Sequence, residues 1–217
     1  MPAPKEFTIY LIRHAESTAN TKRWLIGGRS SQVELSTLGK QQAKELGLRL
    51  EQLKVEGLPV YSSPAKRTLD TAKIALKLSN SRGIKIIDDL QEVSAGSREG
   101  KQFFQVNIFA MWRDLTTKKT SKTGENVWQA SNRMHHAINQ IVKERCSTNH
   151  CGALVFGHSM SIRALLFLKL KPQPSPLQTI LGDLKNTEIV ELKIPCPAIK
   201  GGEIKLVDVA VKRLGYR

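Results

Sequence analysis

Two stretches of this sequence end in groups able to handle phosphorus: Leu11-Ile12-Arg13-His14 and Phe156-Gly157-His158-Ser159. An imidazole nitrogen can attack phosphorus covalently, and a guanidinium grips phosphate oxygens in pairs. A single histidine closing an apolar run is commonly a satisfied structural residue. An Arg-His pair matched by a second histidine in the same setting points instead to a phosphate site, provided that the two runs are neighbouring parallel strands.

Whether they are neighbours depends on the elements that carry them. Phe7 to Ile12 is a β-branched and aromatic run that stops abruptly at Arg13-His14, the pattern of a buried strand delivering polar residues at its C-terminal end. Ser36 stands as a cap before a helix expected over 41–53, with Ala43, Leu46, Leu50 and Leu53 on one face. Leu58 to Tyr61 reads as a second strand, Ser62-Ser63-Pro64 as a turn whose serines cap the next helix, with a serine hydroxyl near the phosphate as the alternative, and Ala65 to Leu78 as that helix, presenting Leu69, Ala72 and Leu76. Ile84 to Ile87 and Ala153 to Phe156 are further strands, and Tyr10 and Tyr61 are expected in the core. Helices are expected over Val127 to Cys146 and Ile162 to Leu170. Beyond the proline-rich loop Pro172 to Pro176, the stretches 188–194 and 203–211 read as terminal strands, joined through Pro195, Pro197, Gly201 and Gly202. The alternation predicts an α/β fold, a three-layer α/β/α sandwich with a mostly parallel central sheet. Such sheets place their chemistry at the carboxyl ends of the strands. No repeat or linker divides the chain, so residues 1–217 are expected to form a single domain.

The motifs themselves resemble those of a known family. Leu11-Ile12-Arg13-His14-Ala15-Glu16-Ser17 with Asn20 is similar to the signature of the histidine phosphatase superfamily, in its phosphoglycerate-mutase-like branch. Tyr61-Ser62-Ser63-Pro64 with Arg67, Thr71 and Ala72 resembles that family's second motif. Leu90, Glu92, Gly96, Glu99 and Gly100 resemble its acid-bearing loop, Gly124-Glu125-Asn126 with Arg133 its next helix start, and Gly157-His158 its second histidine. Asn186-Thr187-Glu188-Ile189 resembles its late strand. These motifs follow in family order from Leu11 to Ile189.

The resemblance implies a role for each residue. His14 would be the nucleophile and form a phosphohistidine, its other ring nitrogen held by an acceptor such as a backbone carbonyl. Arg13, Arg67 and His158 would surround the phosphoryl oxygens, with Asn20 as a neutral donor and Ser159 beside the pocket. Glu92 would give a proton to the leaving alkoxide and then help to activate water. Glu16 and Glu99 are read as structural. Taken singly, Arg67 is equally a surface helix residue and Glu92 a solvated loop carboxylate.

The sequence departs from the family pattern at informative places. Ala15 replaces the usual glycine after the first histidine, which is harmless unless the turn needs a positive φ. Val93 and Ser94 follow the acid where cofactor-dependent mutases carry Arg and Tyr to hold a carboxylate. A phosphatase is therefore expected in preference to a phosphomutase or a non-catalytic phosphate- or RNA-binding relative. Between Gly100 and Gly124, Phe103, Phe104, Ile108, Met111, Trp112 and Leu115 recur at helical spacing. They read as a helix packed on the core. The alternative is a lid over 101–123 with Lys118, Lys119 and Lys122 at its rim drawing in a second anionic group.

Composition limits the remaining function classes. The chain of 217 residues has 40% hydrophobic and 24% charged residues, which suits a globular domain. Its formal net charge of +15 attracts anions, but the basic residues are scattered and no nucleic-acid-binding signature accompanies them. Nucleic acid is therefore an unlikely partner, and a small anionic phosphorylated substrate the expected one; oligomeric state is left open. Cys146, Cys151 and Cys196 offer neither a C-x-x-C pair nor zinc spacing, so neither a disulfide scaffold nor a structural metal site is expected, and the family resemblance implies a reaction that needs no metal and no cofactor. Met1 to Glu6 lacks the features of a signal peptide, and the apolar stretch 152–170 is broken by His158 and Arg163. A cytoplasmic protein without membrane attachment is the expectation.

Overall fold

The computed structural model describes residues 6–22, 24–117, 124–145, 152–169, 184–195 and 210–214. The three cysteines, Lys118, Lys119, Lys122, the Pro172 to Pro176 loop, Pro197, Gly201, Gly202 and the stretch 203–209 lie outside them.

The middle layer follows from the period of two in its strands. In β1 (Glu6–Arg13), Phe7, Ile9 and Leu11 join one apolar cluster while Tyr10 and Ile12 join the other. β4 (Gly152–Gly157) splits in the same way, Ala153 and Val155 against Leu154 and Phe156. Strands apolar on both faces need cover on both. On one face α1 (Thr37–Gln52) and α2 (Lys66–Ala75) supply Leu46, Leu50, Ala72 and Ala75. On the other, α4 (Val127–Arg145) and α5 (Ser159–Lys169) supply Met134, Ile138, Ile141, Ile162 and Leu165. A shorter helix, α3 (Ile108–Thr116), precedes α4 in the chain. Tyr61 is fully buried, whereas Tyr10 is half-buried at the edge of its cluster.

The sheet order is β3 (Ile84–Ile86), β2 (Val60–Ser62), β4, β1, β5 (Ile189–Pro195), β6 (Ala210–Leu214). The first four of these run parallel, β5 is antiparallel to β1, and β6 is antiparallel to β5. This is the expected three-layer α/β/α sandwich with a mostly parallel sheet. The register pairs Arg13 with Gly157, so the chain leaves β1 at His14 and β4 at His158 on adjacent parallel strands. Among the described residues no helix is long and apolar enough to cross a membrane.

Several local expectations are corrected. α5 begins at Ser159 rather than Ile162, because its first turn is held by the carboxylate of Glu92, which accepts from the N–H groups of Met160 and Ser161. Leu53 is the C-cap of α1 and 40% exposed, off the buried face. α2 stops at Ala75, with Lys77 at φ 53 just beyond. Its N-cap is Ala65, with no side-chain cap; Ser62 donates instead to the Ser63 carbonyl. The apolar stretch after Gly100 does form a helix, α3, but only Met111 of it is buried, and Phe109 is 89% exposed. It packs on the core through Met111 and Leu115 alone, less fully than expected.

One close approach positions the loop after β1. A Cβ on Gly39 would lie 1.9 Å from the Glu16 carbonyl, so the first turn of α1 can press against that loop only through glycine. The Glu16 carboxylate accepts from the Ser36 hydroxyl at 2.6 Å, fixing the same junction.

Candidate active site

His14 and His158 meet with ring centroids 5.3 Å apart and edge to face. His14 is 4% exposed and His158 fully buried. The His14 Nδ1 donates to the Ala15 carbonyl at 2.6 Å, which leaves Nε2 without its proton. Ala15 is not among the residues with positive φ, so alanine replaces glycine at no conformational cost, and its N–H donates to Thr71 Oγ1 of α2. The His14 main chain is tied on two sides: its N–H donates to the Gly157 carbonyl at 3.0 Å, and its carbonyl accepts from the Asn186 side chain at 2.9 Å.

Electrostatics keep both imidazoles neutral. Burial pushes the His14 ring well below its ordinary value, and the nearby Arg67 and Arg13 guanidinium groups push it further. Burial, Arg67 and then His14 do the same to His158. Arg67 is 5% exposed rather than on the surface of α2. It donates to the carbonyls of Ser30 and Gly28 at 2.5 and 3.2 Å, which folds the 28–31 loop over it. Burial lowers its affinity for a proton and Glu92 and Glu99 raise it again; a guanidinium remains a cation throughout the physiological range. Arg13 donates to the Leu184 carbonyl from the end of β1.

Ser63, expected as a cap, takes a different part. Its Oγ lies 2.9 Å from His158 Nε2 and accepts a long bond from the Ala65 N–H. A hydroxyl donating to Nε2 would place the ring proton of His158 on Nδ1. That Nδ1 is buried and makes no hydrogen bond within the described residues. Replacing Ser63 by alanine removes the group that selects this tautomer. The expected result is a loss in kcat of about tenfold, the cost of one buried hydrogen bond, with the ¹⁵N shifts of His158 reporting a changed tautomer. An unchanged tautomer and rate would show that Ser63 is only a packing residue.

Glu92 is half-buried and lines a small cavity together with Arg67, His158, Ser63 and Arg29. Its carboxylate accepts from the N–H groups of Val93, Met160 and Ser161, which seats it against the N-terminus of α5. The loop carrying it is clamped from behind. Arg133 donates to the Asp89 and Gln91 carbonyls and pairs with Glu125 at 2.7 Å, while Arg29 donates to the Glu92 carbonyl and also reaches Glu125. Burial alone would raise the Glu125 carboxyl, but Arg133 and Arg29 hold it below the usual carboxylate range. Nothing in the sequence marks Arg29 for this part, since it lies in a loop with no periodic signal. Glu99 accepts from Ser94 Oγ and the Ala95 N–H, a structural role as expected.

The remaining candidates are placed apart. Asn20 is exposed on the turn after His14, its Oδ1 accepting from the N–H and hydroxyl of Ser17, and it lies in neither of the cavities that Glu92 lines. Ser159 lines the larger of the two, with Glu92 at its inner end. Among the described residues there is no group of three or more His, Cys, Asp or Glu side chains suited to a metal ion.

The model of the histidine phosphatase superfamily (branch 1) matches residues 9–199 of this chain. An acid phosphatase of Mycobacterium tuberculosis is 32% identical over 152 residues, covering 69% of this chain and 70% of that protein. A probable phosphatase of Schizosaccharomyces pombe is 40% identical over 98 residues, 45% of this chain; the match spans only 33% of that relative's length. Among solved structures, a mycobacterial glucosyl-3-phosphoglycerate phosphatase superposes with a TM-score of 0.74 at 20% identity, over 95% of this chain and 97% of that one. A phosphoserine phosphatase from Entamoeba histolytica gives 0.72 at 19% identity, over 95% of each chain.

Proposed function

The chain belongs to the histidine phosphatase superfamily, and from that premise we propose that it is a metal-independent phosphomonoesterase working through a phosphohistidine on His14. The observation that carries this reading is the bond from His14 Nδ1 to the Ala15 carbonyl, which presents Nε2 as a neutral nucleophile beside Arg13, Arg67 and His158. In the first step the Nε2 lone pair attacks phosphorus and the P–O ester bond breaks. The leaving alkoxide takes the proton that Glu92 carries in the enzyme–substrate complex. Arg13, Arg67 and the Nδ1–H of His158 meet the phosphoryl oxygens as charge redistributes, and Asn20 is read as a further donor drawn in by substrate. In the second step water attacks the phosphohistidine and Glu92 accepts its proton. The N–P bond breaks, and inorganic phosphate leaves with His14 restored.

The direct test is phosphate release from a panel of phosphomonoesters in EDTA. Undiminished turnover with inhibition by vanadate, a five-coordinate mimic of the transferring phosphoryl group, is expected. Activity that disappears on chelation would overturn metal independence.

The electrostatics also set a pH dependence. His14 must be unprotonated to attack, and its folded-state proton affinity is lowered, so the acid limb of kcat/KM is expected well below the ordinary histidine value of about 6.5. Stability moves the other way. Below about pH 6.5 the unfolded chain binds protons that folded His14 and His158 refuse, so stability falls on acidification by up to about 1.4 kcal/mol per pH unit for each histidine. An acid limb at or above 6.5 would contradict both statements.

A further inference from the structure

Glu92 also lines a second cavity, of about 290 Å³, whose lining includes neither histidine. Its walls are Val93, Phe103, Met111, Trp112, Leu115 and Met160. The charged groups that reach it are mostly committed. Arg98 pairs with Asp114 at 2.5 Å, Glu125 is held by Arg133 and Arg29, and Arg163 is turned onto the Ser159 carbonyl and the Met160 sulfur of its own helix. A carboxylate or second phosphate placed here would face three carboxylates, of Glu92, Asp114 and Glu125, against two guanidinium groups, of Arg98 and Arg163, so the cavity offers it no net positive charge, and burying an anion without that is expensive. Val93 and Met111 are buried, so the part of the apolar wall open to a ligand is chiefly Phe103 and Trp112. Trp112 is half-buried and stands outside the buried apolar clusters, whereas Leu115 and Met160 pack at the edge of one.

We propose that this cavity receives the alcohol part of the substrate and that the alcohol is an uncharged, flat, apolar group of aryl or arylalkyl type, with Trp112 as its principal contact. This rests on the phosphatase reading of the same site. The volume lies at the low end of the roughly 300–1,000 Å³ typical of ligand pockets, which suits a one- or two-ring group. Val93 and Ser94 sit where a carboxylate-holding pair would be needed for phosphoglycerate, and Val93 instead adds to the apolar wall.

The test compares kcat/KM for 2-phenylethyl phosphate, 3-phosphoglycerate and phosphoserine, all esters of primary alkyl alcohols, so leaving-group chemistry is matched. The phenylethyl ester is expected to exceed the other two by at least about tenfold, the discrimination an apolar pocket provides. Trp112→Ala is expected to remove about tenfold from the phenylethyl value through KM and to leave the anionic esters within about twofold. Only Met111 of α3 is buried, so the fold tolerates this change, and Trp112→Phe is expected to restore most of the loss. Anionic esters turned over as well as the phenylethyl ester, or an equal loss for all three in Trp112→Ala, would overturn the pocket assignment and leave the phosphatase reading standing. No His14-dependent release from any of them, nor from p-nitrophenyl phosphate, would remove the phosphatase reading and the pocket assignment together.

Discussion

With His14 replaced by alanine, phosphate release is expected to fall by at least about 10³-fold on every ester, because the step that breaks the P–O bond loses its nucleophile. The size of the effect follows from how little else near His14 can substitute. His158 is the other imidazole at the site, but its Nε2 is occupied by Ser63 and its Nδ1 carries a proton in the tautomer that Ser63 selects. Arg13 and Arg67 are cations without a lone pair to offer. The variant should still fold, since the surrounding frame is made by main-chain bonds: the residue 14 N–H to the Gly157 carbonyl and its carbonyl to Asn186 persist with any side chain. It should also bind phosphate or vanadate, and removing a desolvated imidazole relieves part of the destabilisation at acid pH. An alkaline denaturing quench of the wild type during turnover should trap a phosphoryl group on His14, because the P–N bond survives in base and is hydrolysed in acid. Retained turnover in His14→Ala, or a trapped phosphoryl group elsewhere, would remove the proposed mechanism.

Glu92→Gln is expected to show the second largest effect, and a selective one. In kcat/KM, which reports the step that breaks the ester bond and not the later hydrolysis of phosphohistidine, the loss for an alkyl ester, whose leaving oxygen needs a proton, should be about 10²–10⁴-fold; for p-nitrophenyl phosphate, whose leaving group departs unaided, it should be far smaller. The structure adds a complication with a clear sign. The carboxylate accepts from Val93, Met160 and Ser161, and a glutamine has one oxygen where glutamate has two, so an NH₂ group would face an N–H donor at the start of α5. The variant should therefore lose some stability. Retained hydrolysis of the p-nitrophenyl ester separates this structural cost from the lost proton, because a misplaced α5 would shift His158 and slow both substrates alike. Equal losses on the two esters would mean that Glu92 holds α5 in place and donates no proton.

Glu92 also illustrates why some elements were legible in the sequence and others were not. The strands were, because their apolar runs carry a period of two that both faces of the sheet then use, as in Phe7 to Ile12. α1 was legible from its Ser36 cap, whose Oγ accepts from the Gly39 N–H. The start of α5 at Ser159 was not, because the group that satisfies its first N–H donors comes from Glu92, far away in sequence. A long-range cap leaves no local pattern. α3 misled for the opposite reason: its spacing is helical, but spacing reports amphipathicity and not what the apolar face meets. Here part of that face borders a cavity and the rest is open, with Phe109 almost fully exposed.

The sequence by itself determined the chemical inventory of the protein. Arg13-His14 and His158 close apolar strands with residue types suited to phosphate, and it is the family resemblance that joins Arg67 and Glu92 to them. The reason is that residue type and strand periodicity are local properties. Only the tertiary structure decided what each group is free to do. The β1–β4 register brings the two imidazoles to 5.3 Å, and the Ala15 carbonyl and Ser63 hydroxyl set their tautomers. Burial beside two guanidinium groups keeps them neutral, and the pairing of Arg98 with Asp114 leaves the adjoining cavity apolar in character. Those outcomes depend on desolvation and on partners distant in the chain, which exist only once the layers have packed.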